Sequence, residues 1–324
     1  MNQILPHSPF VLAEPPLLNP AKFRDPLLTA KGEARASVAM AGLTTLWFNT
    51  GTLCNLACLN CYIESSPTHD ALVYLTAAEQ LAYLDQIAAL GLATEEIGLT
   101  GGEPFMNPDI IALIEAPLVR GFKVLVLTNA MKPMDHKKDA LLALKARFGD
   151  QLTLRVSLDH YTGPVHEAER GAGSWDKALQ GLTWLAEHGF GLAVAGRSLA
   201  DEDMTVARTG YQALFGRLGL AIDANSPAHL VLFPEMDARV DVPEITTACW
   251  GLLHKDPSEV MCASSRMVVK RKGAARPAVI ACTLLPYDPQ FELASNLAGA
   301  LGTVALNHPH CAKFCVLGGA SCSA

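Results

Sequence analysis

The chain has 324 residues, half of them hydrophobic, with a net charge of −7 and nine cysteines. That length supports one large core plus a small companion domain, and the acidic balance, with no basic stripe interleaved with aromatics, argues against a nucleic-acid partner. The first residues lack a basic region followed by an apolar one, and no run of about 18 apolar residues occurs, so neither a secretory signal nor a membrane span is read. An odd cysteine count then fits reduced thiols and metal ligation in the cytoplasm better than a disulfide framework.

Prolines at 6, 9, 15, 16, 20 and 26 predict an extended arm over 1–40. Strands are predicted at 43–50, 96–100, 122–129, 152–159, 191–196 and 229–235, alternating with helices. Thr76 and Glu79 form a capping-box signature. Leu81, Leu84, Ile87 and Leu90 then mark one helical face, ending near Gly91. Asn107-Pro108 reads as the start of the next helix, a helix around 135–147 stops before Gly149, and Ser174 reads as the cap of a helix that Gly189 ends. The alternation predicts an α/β fold with parallel strands and right-handed crossovers. Periodicity alone leaves a doubly wound sheet open, but the motifs fall at the C-terminal ends of strands, which favours a partial (βα)6 TIM-type barrel over 41–240.

Cys54, Cys58 and Cys61 form a CxxxCxxC run directly after the first strand. A 4Fe-4S cluster normally takes four cysteines, so three leave one iron open to a small molecule; the spacing by itself also serves zinc. One βα unit later stands Thr100-Gly101-Gly102-Glu103-Pro104, where paired glycines let backbone approach a ligand and a carboxylate can receive an ammonium.

Together these runs resemble the radical S-adenosylmethionine (SAM) superfamily. The resemblance implies that Cys54, Cys58 and Cys61 hold a 4Fe-4S cluster whose open iron takes the amino and carboxylate groups of SAM. It also implies that Gly101, Gly102 and Glu103 contact the methionine amino group. The segment 156–171 resembles the fourth strand of the peptide-modifying and cofactor-maturing subgroup, which gives Ser157 to the ribose and Arg170 to the SAM carboxylate, with Asp159, Thr128 and Asn129 at the same face. The position before the third cysteine is often aromatic in the superfamily; here it is Asn60, so adenine packing passes to Tyr62 or to backbone. Val194 reads as a core residue that could also meet adenine.

Cys249, Cys262, Cys282, Cys311, Cys315 and Cys322 crowd into the last 76 residues. Strand-like runs at 266–270 and 277–281 place Cys262 and Cys282 at one end of a hairpin whose basic tip, Lys270 to Arg276, reads as solvated. This resembles the auxiliary-cluster extensions called twitch and SPASM, with a longer glycine-to-cysteine gap and too few cysteines for the full SPASM set. The resemblance implies a small cysteine-rich domain over 245–324 with one auxiliary 4Fe-4S cluster, its ligands drawn from Cys262, Cys282, Cys311, Cys315 and Cys322. A structural zinc site built from His308, His310, Cys311, Cys315 and Cys322 is the competing reading, and Cys249 also reads as a buried inert thiol.

The activity so implied is that of an oxidoreductase that cleaves SAM reductively to a 5′-deoxyadenosyl radical and abstracts a substrate hydrogen. The expected electron donor is flavodoxin or ferredoxin, and the substrate a peptide to be oxidised or cross-linked. A small metabolite as substrate, or a non-catalytic zinc- or iron-binding scaffold, are the alternatives.

Overall fold

The computed structural model describes residues 19–199, 202–234 and 241–318. Its elements in chain order are β1 (Ser37–Val38), β2 (Thr45–Asn49), α1 (Ala77–Ala89), β3 (Glu96–Thr100), α2 (Ile110–Val119), β4 (Lys123–Thr128), α3 (Lys132–Asp135) and α4 (Lys138–Phe148). There follow β5 (Leu152–Ser157), α5 (Gly163–Arg170), α6 (Ser174–Glu187), β6 (Gly191–Ser198), α7 (Met204–Leu218) and β7 (Leu230–Pro234). The C-terminal part holds α8 (Cys249–Leu252), β8 (Ser265–Val269), β9 (Ala278–Ile280), β10 (Glu292–Ala294), α9 (Leu297–Ala300), β11 (Val304–Ala305) and a π-helical turn, Cys311–Leu317. Prolines 6, 9, 15 and 16 and Cys322 lie outside the described residues.

Strands β2 to β7 pair in parallel in sequence order, with helices in the connections between them. This is the partial (βα)6 barrel sheet that the alternation predicts. Side chains on each strand alternate between its two faces. Leu46, Phe48, Val124, Val126, Leu154, Val156 and Val194 pack into the cluster that includes the helices. Their neighbours Trp47, Leu125, Ala195, Val231 and Phe233 instead join a second cluster with C-terminal residues such as Met261, Ile280, Leu306 and Phe314. Each large apolar side chain so buried contributes about 1.5–3 kcal/mol relative to exposure. Gly98 on β3 makes room for the Trp47 ring, since a Cβ there would lie 2.3 Å from it.

The hairpin of β8 and β9 continues this sheet. β8 runs parallel to β2, with Thr45 opposite Ser265, and the nine strands stand in the order β10-β9-β8-β2-β3-β4-β5-β6-β7. β1 pairs with β11, and buried Arg35 bonds Glu244, so the described part of the N-terminal segment is tied to the C-terminal part.

Several sequence expectations shift by a residue or a partner. The capping box at Thr76 and Glu79 forms, but the buried face of α1 is Gln80, Tyr83, Leu84 and Ile87, leaving Leu81 and Leu90 exposed. The polar tips decide this, because Tyr83 Oη donates to Pro277 O and Ser295 O, and Gln80 Nε2 to Leu113 O. Asp109, not Asn107, occupies the N-cap position of α2. The Asn107 amide instead donates to Thr50 O and Leu75 O, bracing the end of β2. Ser174 is the first residue of α6, and the Glu167 carboxylate accepts from Gly173 N and Trp175 N in its place. The basic hairpin tip is ion-paired, Lys270 to Glu79, Arg271 to Glu292 and Lys272 to Asp70. Among the described residues no helix is long and apolar enough to cross a membrane.

Candidate active site

The cysteine loop leaves β2 and folds back along residues 66–72. Thr52 N donates to Leu72 O, Cys54 N to Ser66 O, and Leu59 N to Glu169 O on α5. Two backbone amides point at thiol sulfurs, Leu56 N to Cys54 Sγ at 3.4 Å and Ser65 N to Cys61 Sγ at 3.3 Å. Such donors orient a sulfur and favour its thiolate. Cys54, Cys58 and Cys61 line one cavity, together with Gly101, Gly102, Ser157, Arg170 and Tyr62. Burial pushes the Cys54 thiol up to about 12 and raises that of Cys58, the latter against the pull of Arg170.

The paired glycines serve the loop as well as the cavity. A Cβ on Gly101, at φ +145°, would lie 2.5 Å from Gly51 O, and one on Gly102 would lie 2.3 Å from Leu53 O. Only bare backbone lets the cysteine loop rest on the end of β3. Glu103 stands behind this wall, buried and not itself lining the cavity. Its carboxylate accepts from Phe105 N at 3.1 Å, Thr128 Oγ1 at 2.9 Å and Asn129 N at 2.8 Å. Burial pushes its pKa up to about 7 against those donors. Thr128 and Asn129 do reach the cavity, and Asn129 Nδ2 donates to Asn55 Oδ1 in the cysteine loop at 2.9 Å.

On the far side, Asp159 receives a two-point pair from Arg170, Nε to Oδ2 at 2.8 Å and Nη2 to Oδ1 at 3.0 Å. Burial would raise the Asp159 pKa, but Arg170 and Arg197 outweigh it and hold the group below its ordinary 3.8. Arg197, from β6, is a cavity residue that the sequence reading missed. It is 2% exposed, donates through Nη2 to Asn60 O at 2.6 Å, and has its guanidinium carbon 4.8 Å from the centre of the Tyr62 ring. Its Nη1 is buried and has no hydrogen-bond partner among the described residues. The signal was present: an arginine closing an otherwise apolar strand, at the end where barrel sites form. Asn60, in the often aromatic position, is held by the Glu169 carboxylate at 3.2 and 3.1 Å. The aromatic surface comes instead from Tyr62, edge-on to Phe233 and Phe314 at 5.9 and 5.7 Å. Val194 belongs to the helix-side core.

The cavity encloses about 150 Å³. Among the described residues no three His, Cys, Asp or Glu side chains converge on a single ion. Three thiols lining one cavity are a donor set that suits a 4Fe-4S cluster. The buried Arg197 Nη1 further equips the same cavity for a ligand with acceptor oxygens.

A second, smaller cavity is lined by Cys262, Cys282, Cys311 and Cys315, with His310 at its wall. Leu284 lines both cavities, and its amide donates to Cys282 Sγ at 3.3 Å. The π-helical turn sends Cys311 and Cys315 to the second cavity and Phe314 to the first. His308 is not among the lining residues. Cys249 stands apart, its sulfur accepting from Thr246 N at 3.4 Å.

Residues 48–205 match the radical SAM superfamily model. That match identifies a radical SAM domain within the chain. The chain is 33% identical over 143 residues to the antilisterial bacteriocin subtilosin biosynthesis protein AlbA of Bacillus subtilis, covering 44% of this chain and 30% of that one. It is 31% identical over 137 residues to the mycofactocin maturase MftC of Mycobacterium tuberculosis, covering 42% and 33%. The match thus spans about a third of the length of these relatives. In fold the chain resembles Streptococcus suis SuiB bound to its precursor peptide SuiA, with a TM-score of 0.56 at 12% identity over 81% of this chain and 64% of that one.

Proposed function

We propose that the protein binds SAM at a 4Fe-4S cluster held by Cys54, Cys58 and Cys61 and abstracts a hydrogen atom from a peptide substrate. The observation that carries this reading is that the three thiols share one cavity with Gly101, Gly102, Ser157 and Arg170. When bound, the cluster supplies the electron for reductive cleavage of SAM to a hydrogen-abstracting 5′-deoxyadenosyl radical.

The chain's own residues bind and orient. Gly101 and Gly102 offer backbone to the methionine amino group, and Glu103 holds that wall in place through Thr128 and Asn129. Ser157 can donate to and accept from a ribose hydroxyl. Arg170, fixed by Asp159, presents its guanidinium to a carboxylate. Tyr62, Phe233 and Phe314 supply an apolar wall that keeps water from a reactive intermediate. Cys262, Cys282, Cys311 and Cys315 would hold one auxiliary 4Fe-4S cluster in the second cavity. Flavodoxin or ferredoxin is the proposed donor. A peptide is favoured because the similar AlbA and MftC are named for bacteriocin biosynthesis and for maturation, and SuiB is seen with a precursor peptide.

Anaerobic protein reconstituted with iron and sulfide should release 5′-deoxyadenosine from SAM with dithionite, and Cys58→Ala should abolish that product. Product formation that survives the substitution would sink the assignment.

A further inference from the structure

A groove of about 650 Å³ lies on the other side of the cysteine loop and shares no lining residue with the cavity just described. Leu56, Phe105 and Met131 give it apolar walls, and Lys132, Lys137 and Lys177 line it with positive charge. No carboxylate lines it, and none of the three lysines makes an ion pair among the described residues, whereas neighbouring Lys138 is paired with Asp135 at 2.7 Å. Lys132 and Lys177 are exposed and Lys137 is half-buried. On a chain of net charge −7, such a local excess of cations is a directed field rather than background. Leu56 ties the groove to the cysteines, since its own amide donates to Cys54 Sγ at 3.4 Å.

We infer that this groove is the docking surface for an acidic one-electron carrier protein. The inference rests on the proposed SAM-cleaving function. In the transfer the carrier is oxidised by one electron and the cluster at Cys54, Cys58 and Cys61 is reduced by one. Charge complementarity steers the encounter, the apolar walls give the carrier a small contact, and one residue separates that contact from a ligand sulfur. A carrier so seated leaves the cavity on the other side of the loop to SAM and substrate.

The test uses reduced flavodoxin as the acidic probe and the charge-reversed triple variant Lys132→Glu, Lys137→Glu and Lys177→Glu. Calorimetric binding of flavodoxin, to cluster-free and cluster-loaded protein alike, should weaken at least about tenfold in the variant, and wild-type binding should weaken between about 50 and 300 mM salt. Flavodoxin-driven 5′-deoxyadenosine formation should fall in parallel, while the dithionite-driven rate, which also reports correct folding, stays unchanged. Flavodoxin affinity that is unchanged by charge reversal overturns the inference, as does loss of an acidic peptide's binding with flavodoxin's intact. A wild-type protein inactive with dithionite defeats the functional reading instead, and the calorimetry on cluster-free protein still decides the surface.

Discussion

Asp159 and Arg170 grip each other through two parallel hydrogen bonds, 2.8 and 3.0 Å long, at the wall of the cysteine-lined cavity. The pair is almost wholly buried, and Arg197 lies 3.4 Å from the same carboxylate oxygen. Removing one member leaves an uncompensated cation. Asp159→Asn should therefore cost about 3–5 kcal/mol in a denaturant melt of the cluster-free protein. The sign with pH follows from the depressed pKa. The Asp159 contribution is complete above its ordinary 3.8 and is lost as pH falls through the lower folded value, so the variant's deficit should shrink in melts taken below about pH 4.

The contact of Gly102 with Leu53 O makes a second case. Gly102→Ala must displace the cysteine loop, because a Cβ 2.3 Å from a carbonyl oxygen is not tolerated. Reconstituted variant should fall from about eight irons per chain to about four, counted anaerobically with sulfide. A full complement of iron would mean that the loop yields without losing its ligands.

The two sets of thiols should be separable. Cys311→Ala should lower iron from about eight to about four per chain while dithionite-driven 5′-deoxyadenosine persists, whereas Cys54→Ala should lower iron equally and abolish the product. Cys249→Ser, outside both cavities, should leave the iron count unchanged.

Arg197 donates to Asn60 O and keeps Nη1 without a hydrogen-bond partner among the described residues. Arg197→Lys keeps the charge but loses the planar fork. Equilibrium dialysis of SAM against the reconstituted variant should show about tenfold weaker binding, the scale of one charge-assisted hydrogen bond. Unchanged affinity would assign that nitrogen to the substrate or to structure alone.

Much of the site was legible in the chain because its parts are local. CxxxCxxC lies on one loop, the Gly101-Gly102 step on the next, and Ser157 ends β5 while Arg170 ends the helix that follows it, α5. The six parallel strands followed from apolar runs separated by helical spacing. On α1, Leu84 and Ile87 are buried as expected, whereas Gln80 and Tyr83 take the buried places expected of Leu81 and Leu90, because carbonyls from distant segments accept their hydrogen bonds. Glu103 read as a ligand contact, yet its three donors come from the turn after it and from the end of β4.

The order of residues along the chain alone determined which thiols could act as a group and where each strand's C-terminal end would fall, since both are matters of spacing and period. Tertiary structure decided the rest. It laid β8 against β2, set Leu284 between the two cysteine cavities, brought Arg197 over Tyr62 and lined a groove with three lysines. Such contacts join segments far apart in the chain, and their energies arise only when folding removes the water between them.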